Sequence, residues 1–138
     1  MEKTYQEVAD YYDKIWNDLE QESKTGVLSR HRMILLKLKQ AGFNSKSTLL
    51  EIGCGIGTLS SYLAKTNIDG KVDAVDISPA TIEFAKNKYK GLKNLEFFVS
   101  DMTDFSIDKK YDFILFPDVL EHIPVEAHEN IFNTIKNF

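Results

Sequence analysis

Cysteine is almost missing from this chain: the one thiol, Cys54, excludes an internal disulfide and offers no metal-site spacing. No apolar run approaches the length needed to span a bilayer. The amino terminus, Met1-Glu2-Lys3-Thr4-Tyr5, lacks the apolar stretch of a secretory signal, so the cytoplasm is the expected location. Basic charge is also in short supply, with 17 lysines and arginines against 21 acids and a formal net charge of -4. The charges are spread along the chain, which leaves no footprint for nucleic acid or an anionic membrane. A small neutral or cationic ligand suits this balance better. Repeats and low-complexity tracts are absent too.

What is present reads as globular material. The 138 residues are 43% hydrophobic and 28% charged, which fits one domain able to bury roughly two-thirds of its unfolded surface. Tyr5, Val8, Ala9, Tyr12, Ile15, Trp16 and Leu19 recur at helical spacing and predict an amphipathic helix, followed by a polar connection over 21–26. A second helix is predicted from about Leu28 to Ala41, with Gly42 as its stop. After Ser47 the period changes. Thr48 to Ile52 is a short apolar run closed by glycines, as expected of a buried parallel strand, and Thr58 to Lys65 looks helical. The unit then repeats: a strand over Lys71 to Ile77, and a helix continuing to Gly91 with Ser78 as N-cap and Pro79 in its first turn. Leu95 to Ser100 and Tyr111 to Phe116 give a third and a fourth strand, and Pro124 opens a last helix with Ala127, Ile131, Ile135 and Phe138 inward. Alternating strands and helices require right-handed crossovers, so the expected fold is α/β with a parallel sheet. One domain, 1–138, is expected, with helices over 1–46 and a β/α core over 47–138.

In an open parallel sheet, ligands sit beyond the carboxyl ends of the strands. The first such end carries Leu49-Leu50-Glu51-Ile52-Gly53-Cys54-Gly55-Ile56-Gly57. Glycines at 53, 55 and 57 permit positive φ and leave no Cβ between backbone and ligand. On glycine spacing alone, an ordinary strand-to-helix turn is an equally good reading. A phosphate-cradling loop is dismissed, because no Gly-Lys-Ser/Thr follows and no basic residue lies between Ser47 and Ala64. The dinucleotide fingerprint fits poorly as well, since its third glycine falls at Thr58. Acids decide the matter: Glu51 precedes the loop, and Asp76, Asp101 and Asp118 stand at the ends of the next three strands. Four carboxylates around one crevice repel a pyrophosphate, because like charges ~4 Å apart cost about 1 to 4 kcal/mol. They attract a ligand bearing a sulfonium and an ammonium.

The ordered set Glu51-x-Gly53-x-Gly55-x-Gly57, Asp76, Asp101 and Phe113-Ile114-Leu115-Phe116 resembles the class I (Rossmann-like) S-adenosylmethionine-dependent methyltransferases over most of the chain from Thr48 onward. The resemblance implies a parallel Rossmann-like sheet with helices on both faces, and S-adenosylmethionine as cofactor. It implies that Gly53, Cys54, Gly55 and Gly57 form the bend under the methionine portion, with Glu51 orienting its amino end. Asp76 would bind both ribose hydroxyls, Ile77 and Met102 would cover the two adenine faces, and Asp101 would accept the adenine amino hydrogen. The backbone near Phe116 would meet the ammonium. Tyr12 resembles an aromatic that some relatives fold over the cofactor, although a core tyrosine is the better reading.

Asp118-Val119-Leu120-Glu121-His122-Ile123 resembles the corresponding loop of the branch acting on quinone precursors and other small hydroxylated molecules. This makes His122 and Glu121 the candidate catalytic residues, with His122 as a base for a hydroxyl proton. A solvent-facing histidine is the competing reading. His31 and His128 are expected to be structural or exposed. The Asp-x-x-Glu-His pattern is also similar to metal-dependent enzymes that methylate RNA 3′ ends, but a further histidine ligand would fall beyond Phe138 and no basic patch offers RNA a surface. No metal is expected.

Family members usually continue into three more strands, whereas this sequence stops after the fourth strand and its helix. That strand is therefore expected to be an open apolar edge, covered by a homodimer partner or another polypeptide. Two functions are expected to compete: methyl transfer to oxygen or nitrogen of a small acceptor, or cofactor or partner binding without turnover.

Overall fold

The computed structural model describes residues 6–7, 9–10, 29–103 and 105–138. Of the predicted first helix, Gln6, Glu7, Ala9 and Asp10 are helical; Tyr12 and the 21–26 connection lie outside the described residues. The elements then run α1 (Ser29–Gln40), β1 (Thr48–Ile52), α2 (Thr58–Thr66), β2 (Lys71–Asp76), α3 (Pro79–Lys88), β3 (Leu95–Val99), β4 (Phe113–Leu115), a 3-10 turn (Leu120–His122) and α4 (Val125–Ile135). The four strands form one parallel sheet in the order β3-β2-β1-β4.

Alternation along the strands builds two apolar layers. Leu49, Val72, Phe113 and Leu115 point to one face, where Leu38 of α1 and Leu59, Leu63 and Ala64 of α2 cover them. Ala74 and Phe97 extend that face under Ile82 and Ala85 of α3. Leu50, Ile52, Val75, Phe98 and Ile114 point the other way, against Ile131 and Ile135 of α4 and against Met102 and Phe105. Helices thus pack on both faces. The predicted cap of α3 is present, with the Ser78 hydroxyl accepting from the Thr81 N–H at 3.3 Å and Pro79 in the first turn.

Two boundaries differ from the sequence expectation. The α3 helix ends at Lys88 rather than near Gly91, because Tyr89 leaves the helix to stack on Phe97 with ring centroids 6.3 Å apart. The fourth strand is only Phe113–Leu115. Its start is tied by a side chain, the Asp112 carboxylate accepting from the Thr48 N–H at 2.8 Å, and Pro117 soon after it has no N–H to offer a ladder. Among the described residues β4 bonds only to β1, so its outer edge is open.

On the α4 face lies a buried carboxylate that the apolar pattern does not anticipate. Asp73, in the middle of β2, is fully buried, and its Oδ2 accepts from Lys109 Nζ at 2.9 Å and the Tyr111 hydroxyl at 2.6 Å. Those two donors come from the turn before β4, so the ion pair fastens that turn across β2. Lys109→Met removes the counter-charge and should lower the unfolding free energy by about 2 kcal/mol. The check is urea denaturation, with a lower midpoint at unchanged slope expected; an unmoved midpoint would exclude this ion pair as the fastening.

Candidate functional site

The strand order reverses at β1: the chain leaves it toward β2 and β3, then crosses back to lay β4 on its other side. Loops leaving the carboxyl ends of β1 and β4 therefore part at this point, which is where α/β sheets take ligands. The bend after β1 is pinned to the neighbouring strand, with the N–H groups of Gly53 and Cys54 both donating to the Val75 carbonyl at 2.7 and 3.0 Å.

All three glycines of the bend have positive φ, +79° at Gly53, +54° at Gly55 and +82° at Gly57. Their surroundings differ, which corrects the expectation that all three bare the backbone to a ligand. A Cβ on Gly53 would lie 2.0 Å from Val119 Cγ2, and one on Gly57 would lie 2.7 Å from Phe97 Cζ. Those two glycines are required by the protein's own packing. Only Gly55 has open space where a Cβ would project, with nothing within 4 Å.

Beside this opening stands Asp76, at the tip of β2 and 7% exposed. Its Oδ2 accepts from the Gly55 N–H at 2.8 Å, and its Oδ1 accepts from the Ser78 N–H at 2.9 Å and the Thr81 hydroxyl at 3.4 Å. Burial raises its pKa above the usual carboxylate range, and the surrounding N–H donors oppose that rise. Glu51 lies beneath the bend, 2% exposed, and accepts a hydrogen bond from the Ser60 hydroxyl of α2. Burial is the main reason its pKa is pushed up to about 7; the Ser60 bond opposes the shift and the charge of Asp76 adds to it. The Cys54 thiol is likewise pushed well above its ordinary range, by burial and then by Asp76 and Glu51.

The four strand-end acids therefore do not share one crevice on equal terms. Glu51 and Asp76 are buried, Asp101 is half-buried, and Asp118 is exposed. Asp101 folds back on its own loop, its Oδ1 accepting from the Thr103 N–H at 2.9 Å and hydroxyl at 2.7 Å. Ile77 and Phe116 are half-buried beside the strand ends. Met102 is 2% exposed and packs with Leu50, Ile52, Val75 and Ile131, so its side chain is a core side chain in this structure. The turn with Glu121 and His122 is brought to the glycine bend by Val119, and both side chains are exposed.

Two contributors escape the sequence reading. Ser60 could have been found as a hydroxyl on the buried face of α2, and Thr81 as the partner of the Ser78 cap. His128, expected to be structural or exposed, is half-buried with its Nε2 3.0 Å from the carbonyls of Leu120 and Ile123, partners the sequence does not indicate. Among the described residues no group of three His, Cys, Asp or Glu is arranged to hold a metal ion, and no helix is long and apolar enough to cross a membrane.

A parallel sheet in this order, a glycine bend after β1 and a buried acid ending β2 define a class I, Rossmann-like methyltransferase fold. The chain belongs to the methyltransferase domain family, which residues 49–138 match. It is 37% identical over 87 residues to malonyl-[acyl-carrier protein] O-methyltransferase 1 of Ilyobacter polytropus, a match covering 63% of this chain and 32% of that protein. It is 29% identical over 108 residues to (S)-coclaurine N-methyltransferase of Thalictrum flavum subsp. glaucum, covering 77% of this chain and 29% of that one. The crystal structure of magnesium protoporphyrin IX methyltransferase from Synechocystis PCC 6803 with bound SAM shares the fold, with a TM-score of 0.74 at 22% identity, covering 95% of this chain and 69% of that one. The chain spans about a third of the length of the curated relatives it matches.

Glu51 gives the site a pH signature. A carboxyl raised from 4.5 to about 7 binds more protons folded than unfolded, so its contribution to stability is complete below pH 4.5 and lost as pH rises through about 7. Asp76 shifts in the same direction. Urea denaturation at a series of pH values should show stability falling by about 3 kcal/mol over this window. Glu51→Gln should flatten most of that slope, and an equally steep slope in the variant would remove Glu51 as its source.

Proposed function

We propose that this chain binds S-adenosylmethionine on the glycine bend and transfers its methyl group to an oxygen or nitrogen of a small molecule. The observation that carries the reading is the pairing of Asp76 with the N–H of Gly55, the one glycine of the bend that faces open space. An ionised carboxylate offers about four acceptor positions. Gly55, Ser78, Thr81 and Ile77 all donate here, the Thr81 hydroxyl at 3.4 Å. A ribose diol fits this set by displacing Thr81, whose hydroxyl also donates to the Ser78 carbonyl.

The cofactor supplies a methyl group already activated on a sulfonium, so the chain's work is alignment. In this reading Gly55 gives the methionine portion close access to the backbone, and Gly53, Cys54 and Gly57 hold the bend that presents it. Glu51, below the bend, favours the cationic amino end increasingly as it ionises. Asp101 accepts from the adenine amino group, Ile77 covers one adenine face, and the backbone near Phe116 meets the ammonium. Met102 reaches the other adenine face only if its side chain turns out of the core. His122, with Glu121 beside it, takes the proton of an acceptor hydroxyl or amine. Relatives named for O-methylation and for N-methylation support either acceptor atom. A cytoplasmic location belongs to the same reading.

A second reading, binding without turnover, draws on the open edge of β4. Phe113, Ile114 and Leu115 are only half-buried there, and Phe132 of α4 is 41% exposed beside Phe116. We propose that a second copy of this chain adds its own β4 along this edge. Sedimentation should then show a dimer at micromolar concentration, and a monomer that persists at high concentration would refute this.

Calorimetry tests the cofactor. Asp76→Asn, which keeps an acceptor for Gly55, should weaken S-adenosylmethionine binding about 30-fold. Unchanged affinity, or preference of the native chain for NAD, would overturn the reading. Release of S-adenosylhomocysteine with malonyl-[acyl-carrier protein] or with coclaurine as probe acceptor then separates turnover from binding alone.

A further inference from the structure

His128 sits half-buried on α4, four residues into the helix, and faces the turn that precedes it. Its Nε2 is 3.0 Å from the Leu120 carbonyl and 3.0 Å from the Ile123 carbonyl. Carbonyls only accept, so this nitrogen carries a hydrogen and shares it between the two oxygens. The two carbonyls bracket Glu121 and His122. The turn's own backbone bonds are few: three residues of 3-10 helix, with the His122 N–H donating to Val119 at 2.9 Å and the Ile123 N–H to Leu120 at 3.2 Å, while Ile123 packs against the core. A helix this short is unstable without tertiary contacts. It is also entered from Asp118 in the left-handed region at φ +49°, a conformation that persists only where the surroundings impose it.

The other fixed point is Val119, whose Cγ2 occupies the place a side chain on Gly53 would need. The turn is therefore clamped at both ends, by Val119 against the glycine bend and by His128 against α4. Removing the second clamp takes one tie from the carboxyl end of the turn, where His122 stands, and leaves it the Ile123 packing.

We infer that His128 is a positioning residue, which staples the Glu121–His122 turn to α4 and so holds it beside the glycine bend. What the turn does there rests on the methyl-transfer reading; how it is held does not.

The test uses the whole chain with His128→Leu and His128→Gln. Glutamine places an amide nitrogen near the position of Nε2 and has two hydrogens for the two carbonyls. By NMR, amide exchange at His122 and Ile123 should quicken about tenfold in His128→Leu and return to within about twofold of native in His128→Gln. The Gly53 amide, bonded to Val75, should be unaffected in both. Unchanged exchange in His128→Leu, no rescue by glutamine, or a native imidazole carrying its hydrogen on Nδ1 alone would each overturn the inference. If either probe acceptor is methylated, His128→Leu should lower kcat about tenfold at unchanged KM for S-adenosylmethionine, with glutamine restoring it; equal kcat values would overturn the inference too. Failure of the native chain to bind S-adenosylmethionine is a separate result. It removes the proposed function and leaves the exchange comparison standing.

Discussion

Everything at the carboxyl end of this sheet depends on how the bend after β1 is tied to β2. Three consecutive N–H groups, those of Gly53, Cys54 and Gly55, donate to the last residues of β2: two to the Val75 carbonyl and one to the Asp76 carboxylate. A bend with such donors left unpaired in a buried setting would cost about 1 to 3 kcal/mol for each group. The tie also fixes the direction of the opening, because the backbone reaches Asp76 only with the glycines at positive φ. Acid and bend are one unit, in which the carboxylate needs the N–H groups to offset its burial and the N–H groups need the carboxylate as acceptor.

That mutual dependence explains an arrangement of charge that is otherwise unfavourable. Two carboxyls, Glu51 and Asp76, are buried here, and burial pushes both toward the neutral form, with the charge of Asp76 adding to the shift of Glu51. A fold selected for stability alone would place apolar residues here, since buried charge rarely repays its desolvation. Under the proposed function, retaining both acids makes sense for a site that takes a positive ligand, which would favour the ionised forms that burial disfavours. The strain is kept local by Ser60 on one acid and by Ser78 and Thr81 on the other.

The sequence discloses the frame because local rules write the frame. Thr48–Ile52 is a mostly apolar run closed by glycines, as a strand buried on both faces must read, and Val72, Ala74 and Val75 carry the same signal in the second strand. Ser78-Pro79 announces α3 through capping chemistry that needs no partner elsewhere. What stays hidden depends on contacts between distant positions. The glycine motif is visible, yet which glycine faces open space is decided by Val119 and Phe97, far along the chain. The acids at the strand ends are visible as a set, whereas their unequal burial is not. Asp73 breaks an apolar run without warning, since its partners Lys109 and Tyr111 sit in a turn with no regular period. Met102 shows how a loop residue at positive φ can direct its side chain into a core that spacing never assigns to it.

The division of labour within the site follows from the chemistry it would support. With an activated methyl group the barrier is lowered chiefly by holding two reactants in line, and small displacements of a holding element are expensive. A loop on the open edge of a sheet is a poor holder unless it is fastened, because β4 offers it three residues of ladder and then a proline. The fastening is supplied from both flanks, by an apolar contact on the glycine bend and a polar contact on α4. Both use atoms of the turn that point away from solvent, so Glu121 and His122 remain exposed while the backbone beneath them is fixed. Under the proposed function, such a design would separate what positions the turn from what meets the acceptor, and the exposed side chains could then vary without loosening the frame.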